Sequence, residues 1–125
     1  MSKVLVCGSR DWTNKEIIKK RLEQLPAGTT IIHGGCRGAD IIAGEVAKEL
    51  GFEIEVFPAS WSIYGRGAGP IRNKQMLTEG EPELVIVFHN NLEESKGTKN
   101  MINLAKADKV PVEFVDDTID DSEDN

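Results

Sequence analysis

Five short apolar runs alternate with stretches of helical spacing, and this alternation restricts the chain more than any other feature. The runs are Lys3–Cys7 (KVLVC), Thr29–His33 (TTIIH), Glu53–Phe57 (EIEVF), Leu84–Phe88 (LVIVF) and Val112–Val115 (VEFV). Strands that take turns with helices imply a parallel sheet joined by right-handed crossovers. Leu84–Phe88 is apolar without alternation, as a strand covered on both faces should be. Val112–Val115, the last run, is expected at an edge. The fold class that follows is α/β, a three-layer parallel sheet of about five strands flanked by helices.

The helices between the runs carry their own signals. Thr13 to Leu25 has an apolar stripe of Ile17, Ile18, Leu22 and Leu25, and Thr13 with Glu16 has the spacing of a capping box. Pro26 and Gly28 should stop it. A second helix is expected from about Ala39 to Leu50, burying Ile42, Ala43, Val46, Ala47 and Leu50, with Gly51 beyond its end. Residues 59–68 read as a loop. Pro70 suits the first turn of a third helix reaching about Thr78. Gly97 to about Ala107 reads as a fourth.

A length of 125 residues suits one domain. The net charge of −6 is a property of the end of the chain, because Asp116–Asn125 holds six acids and no base. Without that segment residues 1–115 are neutral, so the domain is expected over 3–115 and a disordered acidic tail over 116–125. A neutral domain lacks the excess of basic charge typical of strong nucleic-acid binders. Nucleic acid is therefore not expected as a partner. No apolar run approaches the roughly 18–20 residues of a membrane helix, and Val4–Cys7 is too short for a signal peptide. Two cysteines, Cys7 and Cys36, make no C-x-x-C pair. A reduced, cytoplasmic protein without membrane contact is expected, and a sheet protein of this size is compatible with a homo-oligomer.

In a doubly wound sheet, ligands gather beyond the carboxyl ends of the strands, near the switch point. Those ends are rich in glycine and polar residues here. Gly8, Ser9 and Arg10 follow the first run, and Gly34, Gly35, Cys36, Arg37, Gly38, Ala39 and Asp40 follow the second. Three glycines in five residues let a backbone approach a ligand, and the following helix offers free N–H groups and a positive dipole end to a phosphate. A tight strand-to-helix turn would use the same residues. Ser95, Lys96, Gly97 and Thr98 form a second segment of this kind, open equally to a phosphate and to simple helix capping. Arg10 and Arg72 can clamp a phosphate or carboxylate with a bidentate fork. Trp61 and Tyr64 lie outside any amphipathic pattern and are candidates to stack on a base, or to pack their loop on the core.

Cys7, His33 and His89 each end a strand, but their spacing matches no zinc motif, and neither a metal nor a cofactor is expected. The chain has no Walker A string, no G-x-G-x-x-G after its first strand and no G-x-S-x-G elbow. ATP hydrolysis, dinucleotide hydride transfer and serine hydrolysis lose support accordingly.

Taken together, Gly8-Ser9-Arg10-Asp11-Trp12, His33-Gly34-Gly35-x-x-Gly38-Ala39-Asp40, Pro58-Ala59-x-Trp61, Tyr64-Gly65, Ala68-Gly69-Pro70-Ile71-Arg72-Asn73-x-x-Met76 and Ser95-x-Gly97-Thr98 resemble the YspA, cpYpsA-related branch of the SLOG superfamily. That superfamily groups the Smf/DprA proteins with the Lonely-guy enzymes. The resemblance covers nearly all of residues 3–115. It implies a Rossmann-like sheet and a pocket for a phosphate-bearing nucleotide or nucleotide-derived ligand. The binding residues it implies are Gly8, Ser9, Arg10, Gly34, Gly35, Arg37, Gly38, Asp40, Arg72, Asn73, Ser95, Gly97 and Thr98.

Lonely-guy enzymes are phosphoribohydrolases with the signatures R-K-x-x-M and P-G-G-x-G-T-x-x-E. Arg72 and Met76 match the first in part, with Asn73 in place of lysine, while only Gly97 and Thr98 match the second. The glutamate of that signature falls at Met101, and no Pro-Gly-Gly precedes Gly97. Glycosidic cleavage needs a carboxylate to stabilise an oxocarbenium-like state or activate water, and methionine does neither. Sensing or sequestering a nucleotide is thus one expectation. A phosphoribohydrolase relying on Asp40 and Arg72, with Glu94 as a weaker acid, is the alternative. A nucleic-acid-associated module, by analogy with Smf/DprA, stands behind both.

Overall fold

Alternate residues of each central strand point to opposite faces, and in this chain both sets are apolar. Val4 and Val6 face one side of the first strand, and Leu5 and Cys7 face the other. Ile31 and Ile32 divide in the same way, as do Ile86 with Phe88 and Val85 with Val87. A strand with two dry faces must be covered twice, which yields three layers.

The computed structural model describes residues 2–92 and 95–117. Its strands are β1 (Lys3–Gly8), β2 (Thr30–His33), β3 (Glu53–Val56), β4 (Leu84–Phe88) and β5 (Val112–Val115). All pairs are parallel, in the order β3-β2-β1-β4-β5. Central β1 pairs Leu5 with Ile32 of β2 on one side and with Val85 of β4 on the other. The last strand lies at an edge, as its sequence predicts, and β3 forms the opposite edge.

The helices are α1 (Lys15–Leu22), α2 (Ala39–Glu49), α3 (Trp61–Tyr64), α4 (Ala68–Gly80) and α5 (Lys96–Ala107). Helices α1 and α2 cover one face of the sheet with Ile17, Ile18, Leu22, Ala43, Val46 and Ala47. On the other face, α4 and α5 supply Met76, Leu77, Met101, Ile102 and Ala105. The result is the expected Rossmann-like α/β architecture.

Three local expectations need correction. The cap of α1 is Asn14 and not Thr13, because Asn14 Oδ1 accepts the Ile17 N–H at 3.3 Å. The neighbouring Trp12 fixes this choice by donating its indole N–H to the Asn14 carbonyl at 2.8 Å. Helix α1 also stops at Leu22, since the Gln24 and Leu25 N–H groups tighten onto Arg21 and Leu22 before Pro26. Leu25 still packs on the core, as a turn residue. Residues 59–68, read as a loop, hold α3 and a 3₁₀ turn, Gly65–Gly67, that runs directly into α4.

Of the acidic end, residues 118–125 lie outside the described residues. Asp117 exchanges two hydrogen bonds with Asn90 in the loop after β4, at 3.0 and 3.2 Å.

Candidate functional site

The loops after β1, β2 and β3 surround a cleft of about 440 Å³. Arg10 comes from the first loop, Gly34, Gly35, Cys36 and Arg37 from the second, and Pro58, Ala59 and Trp61 from the third; Arg72 of α4 completes it. Three guanidinium groups thus line one cleft, and no carboxylate does so among the described residues. A second cleft, of about 450 Å³ beyond β4 and β5, is lined by His89, Asn90 and Asp116 and by no lysine or arginine. Only the first suits an anion.

Arg72 is buried to within 8% of its surface, and the geometry of its fork explains how it stays there. Its Nε donates to Asn73 Oδ1 at 3.0 Å, and its Nη1 donates to the carbonyls of Gly34 (2.7 Å) and Phe57 (3.3 Å). Among the described residues its Nη2 reaches only the Cys36 sulfur, at 3.7 Å. One side of the guanidinium therefore ties the loops after β2 and β3 to α4. Asn73 extends the tie to α5 by donating to the Gly97 carbonyl and Asn100 Oδ1. Arg10 and Arg37, in contrast, are exposed. The Arg37 Nε donates to the Arg10 carbonyl at 3.4 Å, and its Nη2 lies 3.6 Å from Asp11 Oδ1 across a largely solvated gap.

Asp40 sits at the start of α2 but faces the interior of the glycine loop. Its Oδ2 accepts the N–H groups of Gly34 (2.9 Å) and Cys36 (3.3 Å). Burial pushes its carboxyl up to about 6, against the pull of those N–H groups and of the Arg72 and Arg10 charges. The Gly35 N–H donates to His33 Nδ1 at 3.0 Å, which requires that nitrogen to be unprotonated. Burial, with a smaller contribution from Arg72, lowers the His33 pKa to match. The Gly34, Gly35 and Cys36 N–H groups are thus satisfied within the protein and are not held out to a ligand.

The glycines have a related role. A Cβ on Gly34 would overlap the Arg72 guanidinium. Gly38 has φ +82°, and a Cβ there would lie 2.6 Å from the Arg10 carbonyl oxygen and closer still to that of Ser9. Both close approaches are to protein atoms. Gly34 and Gly35 line the cleft, and Gly38 does not.

The residues singled out in the sequence fall into three places. Arg10, Gly34, Gly35, Arg37, Trp61 and Arg72 meet in the cleft. Gly38, Asp40 and Asn73 stand behind it and hold its walls. Gly8, Ser9, Ser95, Gly97 and Thr98 belong to the contact of β1 with β4 and α5. There the Ser9 N–H donates to the Phe88 carbonyl at 2.9 Å, and the Thr98 hydroxyl donates to the Gly8 carbonyl at 3.4 Å. Ser95 caps α5 by accepting the Thr98 N–H.

At the switch point between β1 and β4 the Thr98 hydroxyl reaches the Gly8 carbonyl, and the arginine-lined cleft opens on the β1–β2–β3 side. Trp61 lines it and is about half exposed, whereas Tyr64, equally exposed, lies outside its lining. Met101 is buried in the core between α5 and the sheet. Glu94 lies outside the described residues.

Sequence reasoning missed Cys36, Pro58 and Ala59 as cleft residues. Their signals were position, directly beyond the ends of β2 and β3, and for Pro58 and Ala59 a place in the Pro58-Ala59-x-Trp61 motif. Among the described residues no cluster of histidine, cysteine and acids could hold a metal ion, so Cys7, His33 and His89 form none. No helix among them is long and apolar enough to cross a membrane.

These features agree with two comparisons. The chain is 33% identical over 121 residues to the Gene 61 protein of Mycobacterium phage D29, an alignment that covers 90% of this chain and 94% of the phage protein. The sequence model of the YspA, cpYpsA-related SLOG family matches residues 2–64, which contain every cleft residue but Arg72. The chain belongs to the YspA, cpYpsA-related SLOG family.

Proposed function

We propose that this protein binds a phosphate-bearing, nucleotide-derived small molecule in the cleft between the β1, β2 and β3 loops, and that it senses or sequesters that molecule. The observation that carries this reading is the lining itself. Arg10, Arg37 and Arg72 offer charge and hydrogen bonds to a phosphate, and Trp61 offers a ring face to a base. A volume of about 440 Å³ falls within the usual range of small-molecule sites.

Cleavage of an N-glycosidic bond is the second reading, and one observation favours it. A carboxyl pushed up to about 6, as Asp40 is, suits a general acid at neutral pH. Against it, the Oδ2 of Asp40 is engaged by two backbone N–H groups, and the position of the Lonely-guy glutamate is a core methionine.

A thermal-shift panel of nucleoside mono- and diphosphates and ADP-ribose tests binding. A ligand at about 100 times its Kd adds roughly 2.7 kcal/mol, which should raise the midpoint by roughly 5–15 °C. The same mixtures, assayed for free base, separate binding from cleavage. Absence of any shift across the panel refutes the binding reading, and base release that Asp40→Asn abolishes replaces it with the second.

A further inference from the structure

The cleft's charge and the accounting of its N–H groups specify the ligand more narrowly. We infer, on the basis of the reading above, that the ligand carries two linked phosphoryl groups on its nucleoside, so that a nucleoside diphosphate unit is bound in preference to a monophosphate.

The argument begins with which donors remain. In many phosphate loops the backbone N–H groups do the binding. Here those of Gly34, Gly35 and Cys36 are spent on Asp40 and His33, which shifts recognition toward side chains. The side chains are three arginines from three different elements. Arg72 is rigid, with Nε and Nη1 occupied and Nη2 free but for a weak sulfur contact. Arg10 and Arg37 extend from adjacent loops, and the exposed contact of Arg37 with Asp11 is weak enough for a ligand anion to displace.

A phosphomonoester carries roughly two negative charges at most at neutral pH, all on one phosphoryl group. A terminal diphosphate carries about three and can engage the fixed Arg72 and the two exposed arginines together. No carboxylate among the described residues is part of the lining; Asp11 meets Arg37 from outside it, and Asp40 lies behind the glycine loop. The nucleoside then extends toward Pro58, Ala59 and Trp61, the apolar part of the lining.

The test is a pair of titrations of the full chain with AMP and ADP in magnesium-free buffer, read by calorimetry and by quenching of Trp61. The other tryptophan, Trp12, is buried against Phe88 and should not report. ADP should bind about tenfold more tightly than AMP or better, since each added charge-assisted hydrogen bond is worth about that factor. Arg37→Gln, a change at an exposed position, should cost ADP more than AMP and bring their ratio toward one. Equal affinities for AMP and ADP overturn the inference and leave the proposed function standing. Should neither bind, the mono- and diphosphate of whichever base shifts the midpoint in the wider panel replace them, and no shift across that panel overturns the proposed function as well. An unchanged ADP-to-AMP ratio in Arg37→Gln, with correct folding shown by circular dichroism, also refutes the assignment.

Discussion

Replacing Asp40 by asparagine should remove a loss of stability that the parent suffers as pH rises from about 4 to 6. The carboxyl is buried behind the glycine loop, and its pKa rises from 3.8 to about 6 on folding. The folded state therefore holds this proton more tightly than the unfolded chain does. Its contribution is complete below the unfolded pKa and is lost as pH rises through the folded one, within a window from about pH 4 to pH 6. A difference of about two units, at 1.36 kcal/mol each, amounts to about 3 kcal/mol.

Asparagine keeps an oxygen for the Gly34 and Cys36 N–H groups and carries no charge. Urea unfolding of both proteins at about pH 4 and pH 7.5 yields the double difference, in which all other titrating groups cancel. Asp40→Asn should gain about 2.5 kcal/mol relative to the parent between these two pH values, since the unfolded carboxyl is already partly ionised at pH 4. If the difference stays constant, or if the variant loses ground as pH rises, the carboxylate is better accommodated than its burial implies. The loop N–H groups and Arg72 would then outweigh desolvation, and the account of Asp40 would be wrong.

Gly38→Ala should destabilise by at least about 2 kcal/mol in the same assay, because a residue at φ +82° is strained and its Cβ meets the Ser9 and Arg10 carbonyls. Ser95→Ala should cost about 1 kcal/mol by removing the cap of α5, and should leave ligand affinity unchanged since Ser95 lies outside the cleft. Trp61→Ala should leave stability within about 0.5 kcal/mol, as expected of a half-exposed side chain, while weakening nucleotide binding measured by calorimetry. A large loss of stability in that variant would mean that Trp61 packs α3 and does not serve a ligand.

The sheet was legible because β1, β2 and β4 carry apolar residues on both faces, and only a three-layer arrangement satisfies them. Helix ends were less so. Thr13 and Asn14 are both good capping residues, and the choice between them depends on Trp12, whose indole position no local pattern reveals. The glycine loop shows the same limit more sharply. Glycine at 34 and 38 does announce a close approach, but sequence does not say to what; the answer is Arg72, 38 residues away, and the loop after β1. Ser95 and Thr98 had two readings for a similar reason. A hydroxyl that caps a helix and one that holds a phosphate occupy the same position, and here capping and the contact with Gly8 account for both.

The placement of β1 at the centre of the sheet bears on how the chain is made. Val4 pairs with Ile31 on one side and Leu84 on the other, so its two neighbours are synthesised far apart in time. At about 5–20 residues per second, the second edge of β1 waits roughly 4–16 s on the ribosome for its partner. In the later part of that interval, once β3 has been made, β3, β2 and β1 can form a half-sheet whose inner edge and one apolar face are bare. The nascent chain is then most open to chaperones and to mispairing, and synthesis of β4 closes that period.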